Sequence, residues 1–300
     1  DKATVLVVVN SSSSLSQTLS INSNYNGANL SCYNSMDGVA NAQASGGVPG
    51  YQYNWSNGQT VATATGLGAN WYTITITDTQ GCTSIDSIQL TAPTPVDLNT
   101  SVSSNYNNFA IRCNGQNDGI ATAIGSGGIG VYQYNWSSGA STSIATGLGA
   151  GLQYLTITDA NNCITVDSIL LTEPNNLSIS TSLTATVGCD SSALGQGTSV
   201  AGGGVSPLSF LWSNGQTTAT ATGLTAGAYF VTATDINGCI IVDSLVYSAS
   251  VPIQLSFDID SVRCKNENDG SITVSGIGGT LPYTYSWNTA AGSQSSAVAT

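Results

Sequence analysis

Along Tyr51–Ser56 a large apolar or aromatic side chain stands at every second position and Gln, Asn or Ser fills the gaps. That period of two is the signature of a strand with one buried face. The same alternation returns at Tyr132–Ser137, Leu208–Ser213 and Tyr283–Asn288 with a Trp in the same place each time. Trp55, Trp136, Trp212 and Trp287 therefore read as core anchors. A second alternation, Tyr72-Thr73-Ile74-Thr75-Ile76-Thr77, predicts another strand that ends at Asp78.

The order of elements around these strands is constant. Opening strands are expected at Leu15–Asn22, Val96–Ser103, Leu177–Leu183 and Ile253–Ile259. An Asp-Gly turn follows at Asp37-Gly38, Asp118-Gly119 and Asp269-Gly270, where Gly would supply a positive φ, whereas Leu194-Gly195 takes its place in the third copy. Next comes a strand with small residues on one face, such as Ala40, Ala42 and Ala44, which leaves room for the Trp strand to pack over it. The pairs Gly46-Gly47, Gly127-Gly128, Gly203-Gly204 and Gly278-Gly279 turn the chain into the aromatic strand. Asp78, Asp159 and Asp235 open hairpins that close at Cys82, Cys163 and Cys239.

Cysteines follow the same period. Cys32, Cys113, Cys189 and Cys264 each precede a core Trp by 23 residues, and the first three have a second Cys 50 residues downstream. The constant interval predicts disulfides within each repeat: Cys32 with Cys82, Cys113 with Cys163 and Cys189 with Cys239. A partner for Cys264 would fall beyond residue 300, so the sequence is expected to be a segment of a longer protein. Domain-sized repeats in tandem are thus predicted, with the last strand of a preceding repeat at 1–10, then 11–93, 94–174, 175–252 and a truncated 253–300. Their short, Pro-containing junctions favour an elongated rod.

With Gly 34 and charged residues only 7% of 300, the chain lacks the long charged stretches of surface helices. The fold class is all-β, in tandem sandwich repeats of about 75–81 residues, resembling an immunoglobulin-like outline of some seven strands with a disulfide near a buried Trp. Domains this small are short of core. A disulfide closing a 50-residue loop would add roughly 4 kcal/mol and implies an oxidising compartment.

Lys+Arg 4 against Asp+Glu 16 gives a net charge of -12, too few cations to bind nucleic acid. The absence of His excludes Ser-His triads and His-ligated metals. No run of about 20 apolar residues spans a membrane. Residues 1–10 lack a signal peptide's basic head, so secretion is expected to be directed from elsewhere. No catalytic residue is singled out, and no enzyme is expected. No cofactor or metal site is assigned: oxygen ligands at Asp37, Asp118 and Asp269 suit calcium, but Asp-Gly is ordinary turn chemistry. Aromatic strands could also serve as sugar-stacking platforms, which keeps carbohydrate-binding modules of a secreted enzyme as the alternative function, although such alternation ordinarily builds a core.

The set Cys113-Asn114-Gly115, Asp118-Gly119, Gly-Gly, Tyr-x-Tyr-x-Trp-Ser, Ala-Thr-Gly-Leu and Thr-Asp-x-x-Gly-Cys resembles the SprB repeat of bacterial gliding-motility adhesins. The resemblance implies a stalk or filament segment of a very large secreted, cell-surface, outer-membrane-associated protein. Its partners would be the type IX secretion and surface-motility machinery, with surface glycans as a possible ligand. It also implies O-glycosylation at Asp-Ser-aliphatic sequences, which places candidate glycans on Ser87, Ser168, Ser244 and Ser261.

Overall fold

The computed structural model describes residues 13–185, 194–248, 251–265, 269–279, 281–288 and 293–299. The strand expected at 1–10 lies outside the described residues, as does Cys189. Repeat 1 folds as β1 (Ser16–Ile21), β2 (Gly38–Ser45), β3 (Gln52–Trp55), β4 (Thr63–Leu67), β5 (Asn70–Thr77) and β6 (Thr83–Leu90). These strands form two antiparallel sheets, β1-β2-β4 and β3-β5-β6, with the core between them. Repeat 2 has the same plan in β7 (Asp97–Val102), β8 (Gly119–Ser126), β9 (Gln133–Trp136), β10 (Ile144–Leu148), β11 (Gly151–Thr158) and β12 (Ile164–Leu171). So does repeat 3, in β13 (Ser178–Ala185), β14 (Gly195–Gly202), β15 (Ser209–Trp212), β16 (Thr220–Leu224), β17 (Gly227–Thr234) and β18 (Ile240–Tyr247).

Among the described residues each of these sandwiches has six strands, where about seven were expected. In repeats 1 and 2 the segment after the opening strand contributes turns around a short Tyr25–Ala28 or Tyr106–Phe109 bridge and no strand of its own. The described part of repeat 4 is one sheet of β19 (Gln254–Asp260), β20 (Ser271–Ile277) and β21 (Val298–Ala299).

The aromatic strand builds the core, as the alternation predicts. Trp55, Trp136 and Trp212 are at most 2% exposed, and each indole N–H donates to a backbone oxygen six residues on, in Val61, Thr142 and Thr218. The buried ring thus keeps no unpaired polar atom. Opposite them the small faces do make room: a Cβ on Gly197 would sit 3.4 Å from the Trp212 ring, and one on Gly125 would sit 2.9 Å from Tyr132. Trp287 departs from the expectation. It is half-buried in a cleft with Leu255, Phe257, Tyr283 and Tyr285, because the described residues of repeat 4 supply only one sheet to cover it.

The Asp-Gly glycines are explained by space and not by turn conformation. Neither Gly38 nor Gly119 has a positive φ. A Cβ on Gly38 would lie 2.4 Å from Leu90 Cδ2 and 2.7 Å from the Leu67 carbonyl oxygen. Gly at this position lets the side chain that ends the last strand close the core.

The chain packs as two compact units, one of Asp1–Ile111 with Gly115–Thr172 and the other of Arg112–Asn114 with Glu173–Thr300. Three residues from the loop after β7 therefore pack with the second unit.

Candidate functional site

The expected pairing within repeats is wrong. Cys32 is bonded to Cys163 with Cα atoms 5.7 Å apart, and Cys113 is bonded to Cys239 at the same Cα separation. Cys82 and Cys264 are free and exposed. The first Cys of one repeat thus joins the second Cys of the next, and among the described residues no disulfide crosses a sandwich.

The two cysteines of one repeat stand at opposite ends of it. Asn29, near Cys32, accepts from the Thr91 N–H just past the end of β6, whereas Cys82 immediately precedes the start of that strand. Eight strand residues at about 3.3 Å each separate them by about 26 Å, far beyond the roughly 7 Å that a disulfide tolerates between Cα atoms. The fixed interval of 50 residues measures the path from one end of a sandwich to the other, whereas the bonded cysteines are 131 and 126 residues apart, so a constant spacing did not mark the bonded pair.

One half of the joint is the loop after the opening strand. Leu30 and Ile111, both fully buried, plug the end of their sandwiches two residues before Cys32 and Cys113. Asp37 Oδ1 accepts from the Ser31 N–H at 3.2 Å, and Ser35 Oγ accepts from the Cys32 N–H at 3.1 Å. The Tyr25 hydroxyl donates to the Asp37 carbonyl, and burial, with the Asp37 charge second, pushes its pKa up. The aspartate considered for calcium here serves as a loop cap. Among the described residues no three His, Cys, Asp or Glu side chains gather as a metal site.

The other half is the hairpin ahead of the last strand, held by a buried aspartate. Asp159 is 3% exposed, and its Oδ1 accepts from the N–H of Asn161 at 2.8 Å and of Cys163 at 2.9 Å. Its Oδ2 accepts from the Ile129 N–H at 2.8 Å, which ties the hairpin to the Gly-Gly turn. Asp78 binds Gln80, Cys82 and Val48, and Asp235 binds Cys239 and Val205, in the same way. A Cβ on Gly128 would reach within 2.5 Å of the Asp159 carboxylate, and φ there is +59°, so both glycine requirements meet at one residue. The Val48 N–H above all, then those of Cys82, Gln80 and Gly81, hold the Asp78 carboxyl below its usual pKa against the opposing effect of burial.

An amide side chain completes the joint. Asn161 Nδ2 donates to the carbonyl of Ser31 at 3.0 Å and to that of Tyr25 at 3.2 Å, and Asn26 Nδ2 donates to Asn161 Oδ1 at 2.7 Å. Asn237 Nδ2 donates to the carbonyl of Arg112 at 3.1 Å. In both joints, then, the residue two before the second Cys grips the carbonyl immediately before the first.

The other candidate residues stand apart from the joint. Ser87, Ser168, Ser244 and Ser261 are all exposed, the first three on the last strands β6, β12 and β18, and the last just after β19. Tyr51 and Tyr53 pack against the core of repeat 1, so the aromatic strand turns its rings inward.

Solved structures with some likeness include multi-domain immunoglobulin assemblies and bacterial alpha-2-macroglobulins. Dpr2 Ig1-Ig2 in complex with DIP-Theta Ig1-Ig3 is 9% identical with a TM-score of 0.27, over 76% of this chain and 98% of that chain. The N-terminal eight Ig domains of DSCAM isoform 1.30.30 are 11% identical with a TM-score of 0.21, over 80% of this chain and 56% of that chain. The immunoglobulin-like sandwich is read from the chain's own paired sheets. No curated protein matches the chain in sequence. Residues 24–60, 111–141 and 256–292 match the family described as the SprB repeat.

Proposed function

We propose that this chain is a load-bearing stalk segment of a secreted, cell-surface adhesin, non-enzymatic and cross-linked from each repeat to the next. The observation that carries this reading is the overlap of the two disulfides, Cys32–Cys163 and Cys113–Cys239. Because they overlap, the segments 32–113, 113–163 and 163–239 all run between the same two bonds. Tension is shared by three covalent paths, and one backbone cut in any of them leaves the chain connected. Such bonds also support an oxidising, extracellular setting for it.

Adhesion during gliding, with export by the type IX system, belongs to this reading through the SprB repeats. So do O-glycans on Ser87, Ser168, Ser244 and Ser261, which glycopeptide analysis of native protein would test. The sugar-binding alternative needs an exposed aromatic at one repeated position. The outer-face column runs Thr73, Tyr154, Phe230, and the regular aromatics face inward, which favours the stalk.

Single-molecule pulling tests the central claim. Oxidised protein, once unfolded, is expected to extend between Cys32 and Cys239 only as far as the shortest path, 113–163, allows. Reduced protein should extend through the whole interval. Equal extension in both states would overturn the reading, and loss of surface spreading on deletion in the native host would test the gliding role separately.

A further inference from the structure

We propose that the outer edge of β10 in repeat 2 is a docking site for an extended, uncharged polypeptide segment, which joins the sheet of β7, β8 and β10 as a further strand. Repeats 1 and 3 show how the same edge is kept closed, and repeat 2 lacks the closing group.

In repeat 1 the Gln59 side chain lies against the edge strand and imitates a neighbouring one. Its Nε2 donates to the Thr65 carbonyl at 2.7 Å and its Oε1 accepts from the Thr65 N–H at 3.0 Å. Gln216 does the same to Thr222 in repeat 3, at 2.8 and 3.0 Å. One amide thus occupies both main-chain groups with which another strand would pair, and the sheet edge is protected.

Ala140 stands at this position in repeat 2. The N–H groups of Trp55, Trp136 and Trp212 donate to the carbonyls of Gln59, Ala140 and Gln216 at 2.9, 2.9 and 2.8 Å, so the three residues are structural counterparts. Ala140 has no amide to offer Thr146, the counterpart of Thr65 and Thr222. The Ala123 N–H donates to the Ser143 carbonyl at 2.8 Å, and Ala145 pairs with Ala121. The alternation of an antiparallel ladder therefore turns the main-chain groups of Ile144 and Thr146 away from β8. Among the described residues the Thr142 hydroxyl engages the Ile144 carbonyl at 2.6 Å, and no side chain engages those of Thr146.

A second difference falls on the same strand. Ile144, 50% exposed, takes the place of Thr63 and Thr220, so the open edge also presents a β-branched apolar side chain. No charged residue lies between Ala140 and Leu148, and a charge buried against this edge would be unpaired. Gly147, with a φ of +71°, bends the chain after Thr146 and keeps the added strand short. Main-chain pairing supplies the affinity, and the residue facing Ile144 supplies selectivity in favour of Val or Ile.

The probe is a fluorescein-labelled peptide, Gly-Ser-Thr-Val-Thr-Val-Thr-Ser-Gly, read by anisotropy against the full chain, with amide hydrogen exchange to locate it. Saturable binding is expected, with slowed exchange at the Ile144 and Thr146 amides. Ala140→Gln, which installs the cap of repeats 1 and 3, should weaken binding about tenfold, the worth of the hydrogen bonds that the new amide takes. Gln59→Ala together with Thr63→Ile should open a second site, in repeat 1. The same peptide N-methylated at its valines should not bind, a result that needs no change to the protein. A chain that binds no peptide, binds the N-methylated peptide equally, or binds unchanged after Ala140→Gln would overturn the proposal. So would a chain that pairs β10 with β10 of another copy in preference to the peptide.

Discussion

The Cys163 N–H donates to Asp159 Oδ1 at 2.9 Å, so the carboxylate that fixes the hairpin of repeat 2 also aims the sulfur that reaches Cys32 of repeat 1. Folding within a repeat and linkage between repeats meet in this bond. Asp159→Ala leaves the N–H groups of Ile129, Asn161 and Cys163 without their acceptor. A loss of about 3 kcal/mol is expected, from stranding several buried donors. Thermal unfolding checks it, and peptide mapping after oxidative refolding should show less Cys32–Cys163 bond. Asp159→Asn, which retains one acceptor oxygen, should fall between.

Acid should act on repeat 1 through Asp78. The Val48 N–H first, and then those of Cys82, Gln80 and Gly81, lower its pKa in the folded state. A depressed carboxyl contributes stability that is complete above the unfolded value of about 3.9 and is lost as pH falls through the folded value. Calorimetric midpoints are therefore expected to stay level from about pH 7 to 5 and to fall below about pH 4. Asp78→Asn should remove this part of the fall.

Gln17 is a flaw in the repeat 1 core. It pairs with Ala44 on β2, in the column where Leu98 pairs with Gly125, Ile179 with Ala201 and Leu255 with Gly276. Its Nε2 and Oε1 are buried with no hydrogen-bond partner among the described residues. Gln17→Leu should stabilise repeat 1 by about 1–2 kcal/mol, since a buried amide without partners pays its full desolvation cost. Denaturant unfolding would measure it, and a lower midpoint would count against this account.

The sandwich was legible because strand alternation and packing have the same period: a residue such as Trp55 declares its face through its neighbours. The joint was less legible because pairing depends on which ends of the sandwich meet, and spacing carries no such information. Two signals were nonetheless present. Apolar Leu30 and Ile111 stand two residues before Cys32 and Cys113, and Gln80, Asn161 and Asn237 put an amide two residues before Cys82, Cys163 and Cys239. A position free within a turn has no reason to keep an amide in all three hairpins, and in the two bonded joints that amide is the group that crosses to the other repeat.

Gly119 separates the two reasons for glycine in this chain. A Cβ there would lie 2.5 Å from Leu171 Cδ2, 2.7 Å from Ile111 Cδ1 and 2.8 Å from the Leu148 carbonyl oxygen. The leucine can rotate, but the backbone oxygen belongs to the β8–β10 pairing and cannot withdraw without opening it. Gly119→Ala should therefore destabilise repeat 2 by about 1–3 kcal/mol, the usual range for overpacking a tight core. Gly139 has a φ of +88° and nothing within 4 Å of its would-be Cβ, so Gly139→Ala should show only the backbone penalty of about 1–2 kcal/mol. The distinguishing measurement is at the joint. Gly119→Ala displaces Ile111, two residues from Cys113, and should lower the yield of the Cys113–Cys239 bond on oxidative refolding, whereas Gly139→Ala should leave that yield unchanged. Equal yields in the two variants would show that the buried plug does not position the cysteine loop.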